Sequence, residues 1–194
     1  MLLRGSPRSK LTSFITWLFD PETDQGAGFA VLHLDLDRFK EVNDTQGHAA
    51  GDAVLARVGG VLSGTIRKAD LAARVGGDEF VVVLRNISVQ ADVEWRATQI
   101  IEEVSQSFEF EGESLRVGAS IGIAFSDTAS DFKEVMSNAD IALYLAKAAG
   151  RWCYRVFSEQ TGGNTRIANA CSRICVQHWS MARSAPSSSL RSTG

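Results

Sequence analysis

The spacing of apolar positions changes several times along the chain, and each change marks an element. Phe29 to Leu36 (FAVLHLDL) is short and almost continuously apolar, which predicts a buried strand. Residues 38–46 are polar. From Ala49 to Ile66 the apolar Val54, Leu55, Val58, Val61 and Leu62 return at helical spacing. Asp70–Val75 and Glu79–Leu84 are two short runs around Gly76-Gly77-Asp78. Gly-Gly tolerates the positive φ of tight turns, so the pair reads as a hairpin. Val89–Phe108 is a long helix with Val93, Ala97, Ile100, Ile101 and Val104 on one side. Phe108-Glu109-Phe110 and Leu115–Phe125 read as strands broken at Glu111-Gly112-Glu113. Phe132–Ala148 is a helix closed by Gly150, a C-cap residue, and Tyr154–Phe157 is a last strand. Near the start, residues 10–19 read as an amphipathic helix.

This order predicts an α+β protein with a ferredoxin-like βαββαβ core and additions. A crossover helix joins the first strand to the strand before the hairpin, so those two run in the same direction. The end of strand one, at Asp35, and the hairpin tip, at Asp78 and Glu79, then share one sheet edge. Three carboxylates far apart in sequence are expected to converge there.

Converging carboxylates repel unless a cation lies between them. Hard oxygen donors at an open edge suit Mg²⁺, which takes one or two carboxylates and substrate phosphates. The glycines allow a backbone to approach a ligand closely. Phe39-Lys40-Glu41-Val42-Asn43 turns into a helix whose N–H groups can cradle phosphate. Metal-assisted phosphoryl or nucleotidyl transfer fits this set. The plainer alternative is an exposed strand end beside an ordinary hairpin turn. An EF-hand loop is excluded, because Phe39 stands where a third oxygen ligand belongs.

Composition narrows the class. A chain of 194 residues has room for one domain. With 44% hydrophobic and 22% charged residues, collagen, coiled coil and wholesale disorder are excluded. A net charge of −3 argues against a general binder of nucleic-acid polymers, and three cysteines make no disulfide framework. Residues 159–194 differ from the rest: Arg166, Arg173, Arg183 and Arg191 face a single acid, Glu159, and seven of the last 35 residues are Ser. That segment is expected to be a flexible tail. Within it, Cys171, Cys175 and His178 lack the fourth ligand of a structural zinc site. Leu11–Phe19 is too short and too interrupted to span a membrane. Asp20-Pro21-Glu22 follows it in place of a small-residue cleavage site, so the expected compartment is the cytoplasm.

Arg74-Val75-Gly76-Gly77-Asp78-Glu79-Phe80 contains the sequence GGDEF. With it, the chain resembles the GGDEF-domain diguanylate cyclases, which join two GTP into cyclic di-GMP. Further segments agree in order: Asp35–Asp44 (DLDRFKEVND), Gly47–Asp52 (GHAAGD), Arg67-Lys68-Ala69-Asp70, Ala139–Lys147 (ADIALYLAK) and Gly150-Arg151. The resemblance covers about residues 28–158, after a replaced family start in residues 1–27. It implies a nucleotide-cyclase-like mixed sheet flanked by helices.

It also implies roles. Asp35, the Leu36 carbonyl and Asp78 would hold Mg²⁺ (or Mn²⁺). Asp78 and Glu79 would be catalytic, with Glu79 the usual candidate to help deprotonate the 3′-hydroxyl. Asn43 and Asp52 would read guanine, whose N–H donors a carboxylate accepts. Phe39 and Lys40 at the helix start, with Lys147 and Arg151, would hold the triphosphate. Arg67 and Asp70 would bind cyclic di-GMP at a separate inhibitory face, and a transient homodimer would bring two GTP together. A non-catalytic cyclic di-GMP or GTP receptor is the alternative. Three departures stand out: the start reads MLLRGSPR, Trp152 follows Arg151 where the family often has Asn, and Arg96 is only the nearest candidate for a second inhibitory arginine. Neither a sensor module nor a phosphodiesterase domain is expected in this length. His33 is expected to pack, not to ligate, and Trp17, Trp95 and Trp152 are expected to pack.

Overall fold

The computed structural model describes residues 28–126 and 131–158. The expected amphipathic helix at 10–19, the tail, its Cys/His group and Trp17 lie outside them. The elements are β1 (Ala30–Asp37), α1 (Phe39–Thr65), β2 (Leu71–Arg74), β3 (Glu79–Leu84), α2 (Gln90–Val104), β4 (Phe108–Phe110), β5 (Glu113–Leu115), β6 (Gly118–Phe125), α3 (Phe132–Ala148) and β7 (Tyr154–Val156). The main sheet runs β2-β3-β1-β6-β7, and β4-β5 form a separate hairpin. β1 is antiparallel to both β3 and β6, β2 is antiparallel to β3, and β7 joins β6 in parallel. β1 and β2 therefore point the same way, as the crossover helix requires.

Every residue of β1 is buried, which explains its unbroken apolar run: it is the central strand, covered on both faces. Alternation along it sorts the two faces. Leu32, Leu34 and Leu36 join Val54, Val58 and Leu62 of α1 and Val93, Ile100 and Ile101 of α2 in one cluster. Val31 joins Val81 and Val83 of β3 and Phe132, Val135 and Ala139 of α3 in the other. His33, Asp35 and Asp37 share the α3 side. α3 can lie close there because β6 offers Gly122: a Cβ at that position would overlap the Ala139 carbonyl oxygen and the Leu143 backbone.

Several elements depart from the expected spans, and α2, expected to run from Val89 to Phe108, spans only Gln90–Val104. α1 begins at Phe39, ten residues before Ala49, with a break at Gly47 (φ 84°, ψ 170°). Its first part buries only Phe39 and Val42, too few for a periodic signal. β1 continues past Asp35 to Asp37, whose charge is accommodated by buried partners. The broken strand resolves into β4, a turn with Glu111 and Gly112 at positive φ, β5 and β6. Trp95 was expected to pack and is instead exposed on α2.

The β7–α2 contact carries a pH signature. Burial, aided by the hydrogen bond that Tyr154 Oη donates to Glu94 Oε2 (3.0 Å), pushes the Tyr154 phenol up to about 12. The unfolded chain releases this proton near its ordinary value of 10.0, so between the two values the folded state holds more protons. The stabilisation is fully present below about pH 10 and is lost as pH rises through about 12. In alkaline denaturation, Tyr154→Phe is expected to remove this part of the decline. Parallel decline in both proteins would refute it.

Candidate active site

The end of β1 meets the hairpin tip as the topology requires. Asp35 stands in register with Glu79, and the Leu36 amide donates to the Asp78 carbonyl at 3.1 Å. The Val75 and Gly76 amides both donate to the Glu79 carbonyl (2.9 and 3.3 Å). Arg74 ties the tip down by donating through Nε to the Gly76 and Gly77 carbonyls and through Nη2 to Gly77. Neither Gly76 nor Gly77 has positive φ among the described residues, so the reason expected for them is corrected. At Gly76 a Cβ would lie 2.6 Å from Glu79 Oε2, so a larger residue there would push the Glu79 carboxylate aside. Nothing lies within 4 Å of the position a Gly77 Cβ would take, which leaves that backbone open to approach.

The three carboxylates converge in backbone register, but their side chains form no ready-made ligand cage. Among the described residues no group of three or more His, Cys, Asp or Glu is placed to hold a metal ion. Asp35 instead pairs with Lys147 Nζ at 2.7 Å. That ammonium is a cation resting against the hard oxygen donor assigned to the metal. Asp35, the neighbouring Leu36 carbonyl and the adjacent hairpin fit a hard divalent ion that completes its shell with phosphate oxygens.

Lys147 and Arg151 lie four residues apart where α3 ends. The Ala149 amide donates to Leu145 and the Gly150 amide to Lys147. Gly150 (φ 114°) occupies the left-handed position just past the C-cap, as the sequence predicted. Arg151 Nε is 3.7 Å from Asp37 Oδ1. Asp37 received no role from the sequence, yet it is buried and central here. The Ser120 hydroxyl and the Trp152 amide both donate to it. Burial pushes its carboxyl above the usual range and the nearby Asp35 charge adds to this; the Trp152 and Ser120 hydrogen bonds and Arg151 pull the other way. The signal that could have found Asp37 is the period of two, which sets residues 35 and 37 on one face. His33 is a packed residue as expected, its Nδ1 2.5 Å from Asp140 Oδ1 on α3.

The start of α1 follows β1 through one left-handed residue, Arg38, with no side-chain cap. Phe39 is buried and anchors the turn, and Lys40 is exposed. Farther along, the break at Gly47 folds the chain back so that Asn43 meets Gly51. A Cβ on Gly51 would overlap the Asn43 carboxamide. Asp52, the next residue along the helix, is exposed.

Arg67 and Asp70 lie apart from this edge. Asp70 is buried and accepts from the Arg67 amide (2.8 Å) and the Arg85 amide (3.1 Å), so its carboxylate shapes the turn. Arg67, Asp70, Arg85, Asn86, Asp92 and Arg96 line one pocket. Arg96 is held there by donating to the Thr65 carbonyl at 2.9 Å, and Arg85 is an arginine that the sequence did not single out.

The family model described as diguanylate cyclase, GGDEF domain, matches residues 7–153. The chain is 44% identical over 133 residues to the probable diguanylate cyclase DgcE of Escherichia coli K12, covering 68% of this chain and 12% of that protein. The solved GGDEF domain of TpbB (YfiN) from Pseudomonas aeruginosa superposes with a TM-score of 0.71 at 34% identity, covering 79% of this chain and 96% of that one. The GGDEF domain of DgcB from Caulobacter crescentus, solved in complex with c-di-GMP, gives 0.69 at 29% identity, covering 77% and 88%. The chain belongs to the GGDEF domain family, whose members work with a divalent metal ion. It spans between 12% and 33% of the length of the first curated relatives it matches. Among the described residues no helix is long and apolar enough to cross a membrane.

Proposed function

We propose that this chain is a diguanylate cyclase domain that condenses two GTP into cyclic di-GMP and two pyrophosphates, in the cytoplasm, with Mg²⁺ or Mn²⁺. The observation that carries the reading is the meeting, at one sheet edge, of Asp35 in register with Glu79 and paired with Lys147, on a chain whose relatives include named diguanylate cyclases.

Each domain holds one GTP. The amides at the start of α1, around Phe39 and Lys40, favour the negative triphosphate, and Lys147 and Arg151 add cationic contacts. Asn43 and Asp52 accept from and orient the guanine edge. Asp35, the Leu36 carbonyl and Asp78 would hold the divalent ion, which when bound neutralises triphosphate charge and polarises the α-phosphate. Glu79 helps take the proton from the 3′-hydroxyl. Two domains face each other in a transient homodimer. Each 3′-oxygen forms a bond to the partner nucleotide's α-phosphorus as the bond to pyrophosphate breaks, and alignment supplies much of the rate. The Arg67/Asp70 pocket, with Arg85 and Arg96, takes the product and limits its accumulation. Arginine forks suit phosphate and guanine edges.

The test is incubation with GTP and Mg²⁺ over a range of protein concentrations, followed by chromatography. Cyclic di-GMP is expected, forming more than proportionally faster as protein concentration rises and slowing as product accumulates. Arg67→Ala is expected to remove the slowing. GTP bound but never converted, at any concentration, would favour a receptor and overturn the cyclase reading.

A further inference from the structure

We propose that Asp37 is the positioning residue for the Arg151 turn: a buried carboxylate that fixes the phosphate-facing arginine, and not a further metal ligand. This rests on the assignment of Arg151 to the triphosphate.

The turn after α3 is built in a conformation its residues do not favour. Gly150, Arg151 and Trp152 have φ of 114°, 64° and 56°. Glycine tolerates this, but two consecutive non-glycine residues at positive φ persist only where surrounding structure holds them. The Trp152 amide donates to Asp37 Oδ2 at 3.1 Å, and Arg151 Nε lies 3.7 Å from Oδ1. Ser120 Oγ sits 3.0 and 2.9 Å from the two Asp37 oxygens, so it fixes the carboxylate that fixes the turn. The Asp37 side chain is 0% exposed, and its oxygens face these partners, an arrangement that suits a structural acceptor.

The Trp152 side chain secures the same turn. Gly118, the register partner of Asp37, lies directly beneath the indole; a Cβ there would overlap the ring. The Arg116 guanidinium covers the indole, 5.4 Å from its ring. The ends of β1 and β6 thus form a clamp. One strand end then does two jobs through residues of one face: Asp35 pairs with Lys147, and Asp37 holds Arg151.

The test is a double-mutant cycle on binding, read by calorimetry with 3′-deoxy-GTP, which lacks the attacking hydroxyl and so cannot turn over. Asp37→Asn and Arg151→Ala are each expected to weaken binding about tenfold, the scale of one lost charge-assisted contact. The double variant is expected to bind no more weakly than Arg151→Ala alone, because Asp37 acts through Arg151. In the ligand-free protein, the Trp152 amide and indole NMR signals are expected to shift in Asp37→Asn. Additive losses in the cycle, or unchanged affinity with unchanged Trp152 signals, would overturn the proposal. If Asp37→Asn fails to fold, Ser120→Ala takes its place in the same cycle with the same outcomes. Unmodified protein that binds 3′-deoxy-GTP but makes no cyclic di-GMP overturns the cyclase reading alone; no binding at all overturns both.

Discussion

Asp35→Ala is expected to abolish cyclic di-GMP synthesis, lowering kcat by roughly 1000-fold or more, the size of effect that follows from losing several kcal/mol of charge stabilisation at a metal-assisted phosphoryl centre. Two losses combine. The strand end loses its carboxylate oxygen donor, and Lys147 loses the partner that holds its ammonium 2.7 Å away. Stability is expected to change little, because the Lys147 side chain is 34% exposed and can return to water. Asp35→Asn separates the two losses. The amide oxygen still accepts from Lys147, so nucleotide affinity is expected to stay within a few-fold. Turnover is expected to fall as far as in the alanine variant, because the charge is gone. The measurement is kcat and KM for GTP beside a thermal melt. An alanine variant that keeps a tenth of the parent kcat, still folded, would remove Asp35 from the reaction.

Much of this site was legible before any coordinates, for a physical reason. A central strand covered on both faces must read as an unbroken apolar run, so a carboxylate at its end is conspicuous. A crossover helix fixes direction, so Asp35 and the Gly76–Glu79 tip had to share an edge. What stayed hidden depended on packing. The early start of α1 left no periodic signal, because Phe39 and Val42 alone are buried in its first part. Gly76 reads as a positive-φ turn glycine, yet the hairpin tip closes without positive φ there. Asp37 carries no role in the sequence reading. Its burial depends on Ser120 and Trp152, 83 and 115 residues away, and no local pattern announces contacts of that separation. The same holds for Arg85, which reaches the Arg67/Asp70 pocket from β3's end, whereas Arg96 on α2, the candidate the sequence offered, does line that pocket.

The second large effect belongs to a glycine with no chemistry of its own. Gly122→Ala is expected to destabilise the domain by about 3 kcal/mol, at the upper end for overpacking a well-filled core. The added Cβ would lie 2.8 Å from the Leu143 Cα and closer still to the Ala139 carbonyl oxygen and the Leu143 nitrogen. These are backbone atoms of α3, so no side-chain rotation relieves the overlap and the helix itself must move by roughly 1 Å in a tightly packed layer. That helix carries Asp140 against His33, Lys147 against Asp35 and, just past its end, the Arg151 turn. A melt is expected to show Tm lowered by roughly 10 °C, and GTP turnover is expected to fall even at temperatures where the variant stays folded. Gly60→Ala is the matched control. Gly60 lies inside α1 with nothing within 4 Å of its would-be Cβ, so alanine there is expected to stabilise by about 0.5–1 kcal/mol through helix propensity. A Gly122→Ala protein melting within about 2 °C of the parent would mean that α3 is free to shift, and that its cations are not held to the sheet edge by this contact.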